Sequence, residues 1–248
     1  MWPVVAGGIA AVGIILALPS SGVPWHEQRS TPATKVEGQS SSSATVAKPI
    51  YKPQKRGAPG GRVGAGTRGV GPDRPVLSAL APDHTGLTVH EQSTVYWYLS
   101  QATDRPISVK IISEQSSHPL VHTTISPPIP AGILAIPLAQ YGAKLVTGVR
   151  YHWLLELGTD SVKDSPSLWA GGTIERVELL PELLARLEQS APSDLPALYA
   201  EEGLWYDALD ALSEMIQAAP DDVILRKHRG SLLEQVGLDE AAAHDFRR

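Results

Sequence analysis

Val149-Arg150-Tyr151-His152-Trp153-Leu154-Leu155-Glu156-Leu157 decides how this chain folds. Val149, Tyr151, Trp153, Leu155 and Leu157 alternate with Arg150, His152, Leu154 and Glu156. A period of two with one apolar face predicts a half-buried antiparallel strand. Working outward, further short apolar runs lie between Pro, Gly and Ser punctuation at 87–90, 93–99, 106–113, 119–125, 131–137 and 168–177. Residues 77–177 are therefore expected to form a domain of seven strands, with Trp97, Trp153 and Trp169 as core rings.

Just upstream of Tyr151, Leu145-x-x-Gly148-x-x-Tyr151 resembles the tyrosine corner of immunoglobulin- and fibronectin-like sandwiches. There the ring hydroxyl bonds back to upstream backbone. Past Val177 the apolar period lengthens to 3.6. Leu179, Leu180, Leu183, Leu184 and Leu187 form one helical stripe, and Leu195, Leu198 and Tyr199 open a second after the N-cap candidates Ser193 and Asp194. A third stripe runs from Trp205 to Ala219-Pro220, and a fourth starts near Asp222 and stops at Gly237. Small residues after an aromatic pair, closed by proline, resemble the second helix of a tetratricopeptide-like hairpin. One and a half units are too few for a solenoid. The expected class is mainly β with α: an immunoglobulin/fibronectin-III-like antiparallel β-sandwich, then an acidic helical cap over 178–248.

Composition narrows the chemistry. The chain has 248 residues, 42% hydrophobic, and no cysteine. That excludes a disulfide scaffold, a thiol nucleophile and any thiolate metal site. A net charge of −5 argues against nucleic acid as a partner of the whole chain. The charge is unevenly placed: residues 51–76 hold six bases against Asp73 alone, whereas 178–248 hold six bases against 15 acids. Met1 to Leu18 is apolar and uncharged before Pro19-Ser20-Ser21-Gly22, which reads as a signal peptide or membrane anchor over 1–22. Residues 23–50, with the tract Ser40-Ser41-Ser42-Ser43, bury too little to offset ordering entropy and read as a disordered linker. The chain is thus expected to be exported, periplasmic or in the cell envelope, touching membrane only through an uncleaved leader.

Residues 51–76 form a basic Gly/Pro/Arg arm. Gly64-Ala65-Gly66-Thr67-Arg68-Gly69 has dinucleotide-fingerprint spacing, but no strand precedes it and Gly71-Pro72 stands where its helix would start. Arg-Gly pairs at 56–57 and 68–69 lack the interleaved aromatics that stack bases. His118 and His122, on a strand, lie about 13 Å apart, too far for one metal ion. Ser161, Ser165, Asp160, Lys163 and Asp164 share a predicted loop, and no Gly-x-Ser-x-Gly or Ser-x-x-Lys occurs. No catalytic residue, cofactor or metal is expected, and a non-enzymatic role is.

Tyr51-Lys52-Pro53, Arg56-Gly57-Ala58-Pro59-Gly60-Gly61-Arg62-Val63-Gly64, Gly66-Thr67-Arg68-Gly69, Tyr151-His152-Trp153 and Leu204-Trp205-Tyr206-Asp207-Ala208 together resemble the bacterial family of unknown function numbered 928, of cyanobacterial type. The resemblance spans roughly residues 51–238 and implies domain limits and export, but no activity. The resulting expectation is an interaction or scaffold protein with an envelope or secreted protein partner. Arg56, Arg62 and Arg68 are its expected carboxylate-binding anchors, and Trp205, Tyr206 and Asp207 its helical contact residues. Spare acids Glu201, Glu202, Asp207, Asp210 and Glu214 are read as mostly outward-facing. Rival readings are a small-molecule or glycan-binding sandwich and, behind it, a hydrolase assembled only by the fold.

Overall fold

Alternating side chains over 77–176 build two sheets, and the helices close over them. The computed structural model describes residues 46–54, 61–64, 75–158 and 167–248. Its strands are β1 (Val63–Gly64), β2 (Leu77–Ala79), β3 (Gly86–Thr88), β4 (Thr94–Leu99), β5 (Ile107–Ser113), β6 (Val121–Ile125), β7 (Gly132–Pro137), β8 (Arg150–Leu157) and β9 (Leu168–Arg176). One sheet has the order β1–β9–β8–β5–β6, and the other is β2–β4–β7. All seven expected segments hold strands: six are trimmed by no more than two residues at an end, and the expected 87–90 is shifted to Gly86–Thr88. Two further strands, β1 and β2, are only two and three residues long.

The alternation around Tyr151 does what its period demands. Tyr151, Trp153, Leu155 and Leu157 are buried, while His152 and Glu156 are exposed. β8 pairs antiparallel with β9 over its whole length and with β5 from Tyr151 to Leu157, so it has a neighbour on both edges. Tyr151 Oη accepts the Val146 N–H at 3.1 Å, the upstream bond expected of the corner. Two features depart from expectation. β3 runs parallel to β9, Gly86 facing Ile174 and Thr88 facing Arg176, so the larger sheet is not wholly antiparallel. Trp169 is 41% exposed, because its register partner is Glu156 on the outward face, whereas Trp97 and Trp153 are core.

Five helices follow: α1 (Pro181–Gln189), α2 (Leu195–Glu201), α3 (Trp205–Ala218), α4 (Val223–Glu234) and α5 (Asp239–Phe246). The first four match the stripes. Asp222 caps α4 by accepting the Ile224 and Leu225 N–H groups. Asp194, by contrast, makes no side-chain cap bond on α2. α5 has no apolar stripe to announce it. It is held instead by a buried pair in which Arg229 Nε and Nη2 fork onto the Asp245 carboxylate at 2.7 and 2.8 Å, with Nη1 on Ser213 Oγ at 3.1 Å. That one guanidinium joins α3, α4 and α5. Among the described residues no helix is long and apolar enough to cross a membrane. The proposed leader, and the Ser161–Ser165 loop, lie outside those residues.

The inner faces of both sheets and the buried face of α3 share one apolar core. Tyr206 is its polar pin: fully buried, it donates to the Thr173 carbonyl at 2.9 Å and accepts from Trp153 Nε1 at 2.9 Å. Replacing Tyr206 by Phe leaves a buried indole N–H and a carbonyl without that partner. Tyr206→Phe is expected to cost about 1–3 kcal/mol in urea denaturation, with the fold retained. An unchanged midpoint contradicts this role.

Candidate functional site

The sheets meet the helices at three consecutive residues of α3. Trp205, fully buried, donates its Nε1–H to the Leu80 carbonyl at 2.9 Å. Tyr206 spans the sheet as described. Asp207 is 2% exposed, and its carboxylate receives the Thr88 hydroxyl at 2.6 Å, the Val89 N–H at 3.0 Å and His90 Nδ1 at 2.6 Å. The placing of Asp207 among outward acids is thereby corrected. A charge so buried persists only because the turn leaving β3 supplies these donors. As contact residues for a partner, Trp205, Tyr206 and Asp207 are likewise corrected: they face the chain's own interior.

What the joint presents to solvent is a cleft of about 400 Å³ lined by His90, Glu91, Gln92, Leu195, Tyr199, Asp207, Asp210, Ala211 and Glu214. His90 lies with its side chain 56% exposed, ring edge-on to Tyr199 at 6.2 Å between centroids. Its hydrogen bond to Asp207 raises its pKa, against the opposing effect of burial. Asp210 sits beside this pair and accepts the Tyr96 hydroxyl at 2.5 Å. Burial pushes its carboxyl upward, the Tyr96 bond opposes that, and the Glu214 charge adds to it. Glu91 is paired with Lys144 at 2.8 Å. Glu214 has no ion-pair partner among the described residues. The cleft is therefore acidic, with one imidazole locked in orientation by a buried carboxylate and two apolar walls, Leu195 and Tyr199. Among the described residues no group of three or more His, Asp and Glu is placed to hold a metal ion.

The described parts of the arm bind the chain itself. Tyr51 N–H donates to Gln235 Oε1 at 2.8 Å, Lys52 N–H to the Ala200 carbonyl at 3.0 Å, and Lys52 Nζ pairs with Glu201 at 2.7 Å. The Tyr51 ring stands edge-on to Trp205 at 5.1 Å. Its hydroxyl reaches His84 Nε2 at 2.9 Å, and His84 Nδ1 reaches Asp83 at 2.9 Å. This is the order of a hydroxyl–imidazole–carboxylate triad, but burial drives the phenol far above its ordinary pKa, so it serves as an anchor. Gly61 passes so close to His84 that a Cβ would sit 1.8 Å from its carbonyl oxygen; only glycine fits there.

Arg62 does not meet a carboxylate. Its Nη1 donates to the Ala81 carbonyl at 3.4 Å and the Val236 carbonyl at 3.2 Å, one on the sheet side and one after α4. The expectation of a carboxylate fork is corrected: two converging carbonyls accept its N–H groups, while Asp83 and Asp239 act on the guanidinium through their charge alone. Arg56 and Arg68 lie outside the described residues. Nothing in the sequence marks His90 or Asp207 as partners, since 117 residues separate them.

Two outcomes are expected. Arg62→Ala removes a charged staple and lowers stability by about 1.5–3 kcal/mol, read by urea melting, whereas a neutral result places Arg62 outside the joint. For His90, the folded pKa lies above the unfolded one, so its stabilising effect is complete below the ordinary value of 6.5 and is lost as pH rises through the folded value. The stability gap between the native chain and His90→Gln should accordingly shrink from acid toward alkaline pH. An NMR midpoint for His90 at or below 6.5 contradicts the pairing.

Comparison with curated proteins returns no match. Among solved structures, a multi-domain immunophilin from Arabidopsis thaliana is similar at 11% identity over 69% of this chain and 95% of that one, with a TM-score of 0.17. The family described as Domain of Unknown Function (DUF928) matches residues 63–246, spanning both sheets and all five helices, and the chain belongs to that family.

Proposed function

We propose that this chain is an exported, non-enzymatic interaction protein of the cell envelope, an immunoglobulin-like sandwich with a tetratricopeptide-like helical cap, and that it takes a basic segment of a protein partner into the cleft beside His90. One observation carries the reading. At the sandwich–helix joint, Glu214 stands without an ion-pair partner among the described residues, in a cleft that also holds Asp210, the Tyr199 ring and Leu195. A lysine or arginine side chain matches each part: its stem lies along Leu195 and Tyr199, and its charge meets the carboxylates and the face of the phenol ring. The rigid joint supports recognition because the turn at Thr88–His90 is fixed by Asp207 before any ligand arrives, so little ordering is needed on binding.

A second reading uses the same cleft for a small organic cation, since an aromatic wall among carboxylates suits a free amine equally well. One experiment separates them. The chain is titrated by calorimetry with a lysine-bearing peptide, the same peptide acetylated on lysine, and a free diamine. Recognition of a basic segment predicts binding by the first alone, weakened about tenfold or more by acetylation and by Glu214→Gln. Equal binding of the diamine moves the assignment to a small ligand. Indifference to acetylation and to Glu214→Gln removes both readings.

A further inference from the structure

A second groove, on another flank of α3, has the opposite character. It holds about 270 Å³ between β7 and the helices, lined on one side by Ala131 to Ala135 and on the other by side chains that include Arg226, Arg229, His244 and Arg248. Residues 178–248 carry 15 acids and six bases, yet three of those bases and none of the acids line this groove. An acidic module has gathered half its cations in one place.

The strand side is equally specific. In a sheet, alternate residues face opposite ways, so a groove against a sheet face meets every second residue. Here five consecutive residues line the space, as happens along the edge of a strand. β7 is such an edge: it pairs with β4 from Gly132 to Pro137 and with no other described strand. At its start the His244 ring rests over Gly132, whose φ of +129° favours glycine and where a Cβ would lie 3.4 Å from Nε2.

The cations are not equivalent. Arg229 is consumed by Asp245 and Ser213. Arg226 donates Nε and Nη2 to the Pro220 carbonyl, leaving Nη1 for another acceptor. Arg248 makes no side-chain ion pair among the described residues. His244, its pKa lowered by burial and then by Arg248, adds a neutral ring nitrogen.

We propose that the groove between β7 and the α4–α5 pair binds an extended acidic segment of a protein partner, added as a strand to the free edge of β7, with Arg226 and Arg248 meeting its carboxylates. Main-chain bonds to β7 supply affinity, and the two arginines supply selection for acids on alternate positions. This site is independent of the cleft at His90, and either stands if the other fails.

The test uses the full chain and a short peptide alternating Glu and Val, alongside the same peptide N-methylated at alternate amides, which keeps charge but blocks strand pairing. Backbone amides of 131–135 are followed by hydrogen exchange. Binding of the first peptide is expected, with slowed exchange at 131–135. A loss of about tenfold or more is expected on N-methylation and in Arg226→Glu/Arg248→Glu, and a partial loss in Arg248→Glu alone, whose side chain is exposed and whose fold is checked by melting. No binding, equal binding of both peptides, or protection elsewhere than β7 overturns the proposal. So does preferential binding of an acidic polysaccharide with β7 unprotected.

Discussion

A buried carboxylate holds this structure together. Asp207 has 1% of its side chain exposed, and a charge in that position costs several kcal/mol unless its oxygens are filled. The turn after β3 fills them with a hydroxyl, a backbone N–H and an imidazole drawn from three successive residues, Thr88, Val89 and His90. Asp207 also lies in the first turn of α3, where the helix's unsatisfied N–H groups favour negative charge. Moving α3 away from the sheets breaks all of these together. The neighbouring Trp205 and Tyr206 are bonded to Leu80 and Thr173, so three adjacent positions fix the helix to three separate stretches of the β domain.

Once α3 is fixed, the two grooves follow from its helical period. Asp207, Asp210, Ala211 and Glu214 share one stripe at spacings of three and four, and line the acidic cleft. Ser213, Ile216 and Gln217 form a neighbouring stripe and line the cationic groove. Tyr96 belongs to both regions, its hydroxyl bonded to Asp210 while the residue lines the cationic side. Surfaces of opposite sign thus lie on two flanks of one helix, separated by its own packed side chains.

The sequence made the long elements plain because their period is their cause. Strand β8 buries every second residue, and α3 repeats its apolar positions at helical spacing. The short strands β1 and β2 hold too few residues to show a period, and they pair only because β9 and β4 are already in place. α5 escaped notice because its anchor is charged: Asp245 is buried on Arg229, while Ala241 and Ala242 supply little apolar signal. Asp207 escaped for the same reason. An acid among leucines reads as solvent-facing unless its donors are known, and those donors lie more than 100 residues upstream. Arg62 was legible as an anchor but not in its acceptors, because carbonyl oxygens leave no mark on side-chain identity.

The same reasoning shows why the charge count of the helical module is a poor guide to its surface. Of its acids, Asp207 and Asp245 are interior and neutralised by donors. Glu201 and Glu202 are engaged by Lys52 and Arg186. Lys52 comes from the arm, so part of the acidic excess is met by the basic segment within the same folded unit, where proximity makes pairing far easier than between separate molecules. Most of the module's other acids, among them Glu182, Glu188, Glu234 and Glu240, make no ion pair among the described residues. Of these unmatched charges Glu214 lines the cleft on one side of α3, and the cations Arg226 and Arg248 line the groove on the other. Recognition by such a chain depends on where those residues stand relative to a rigid wall and a strand edge, since net charge governs approach at a distance and local geometry governs what stays bound.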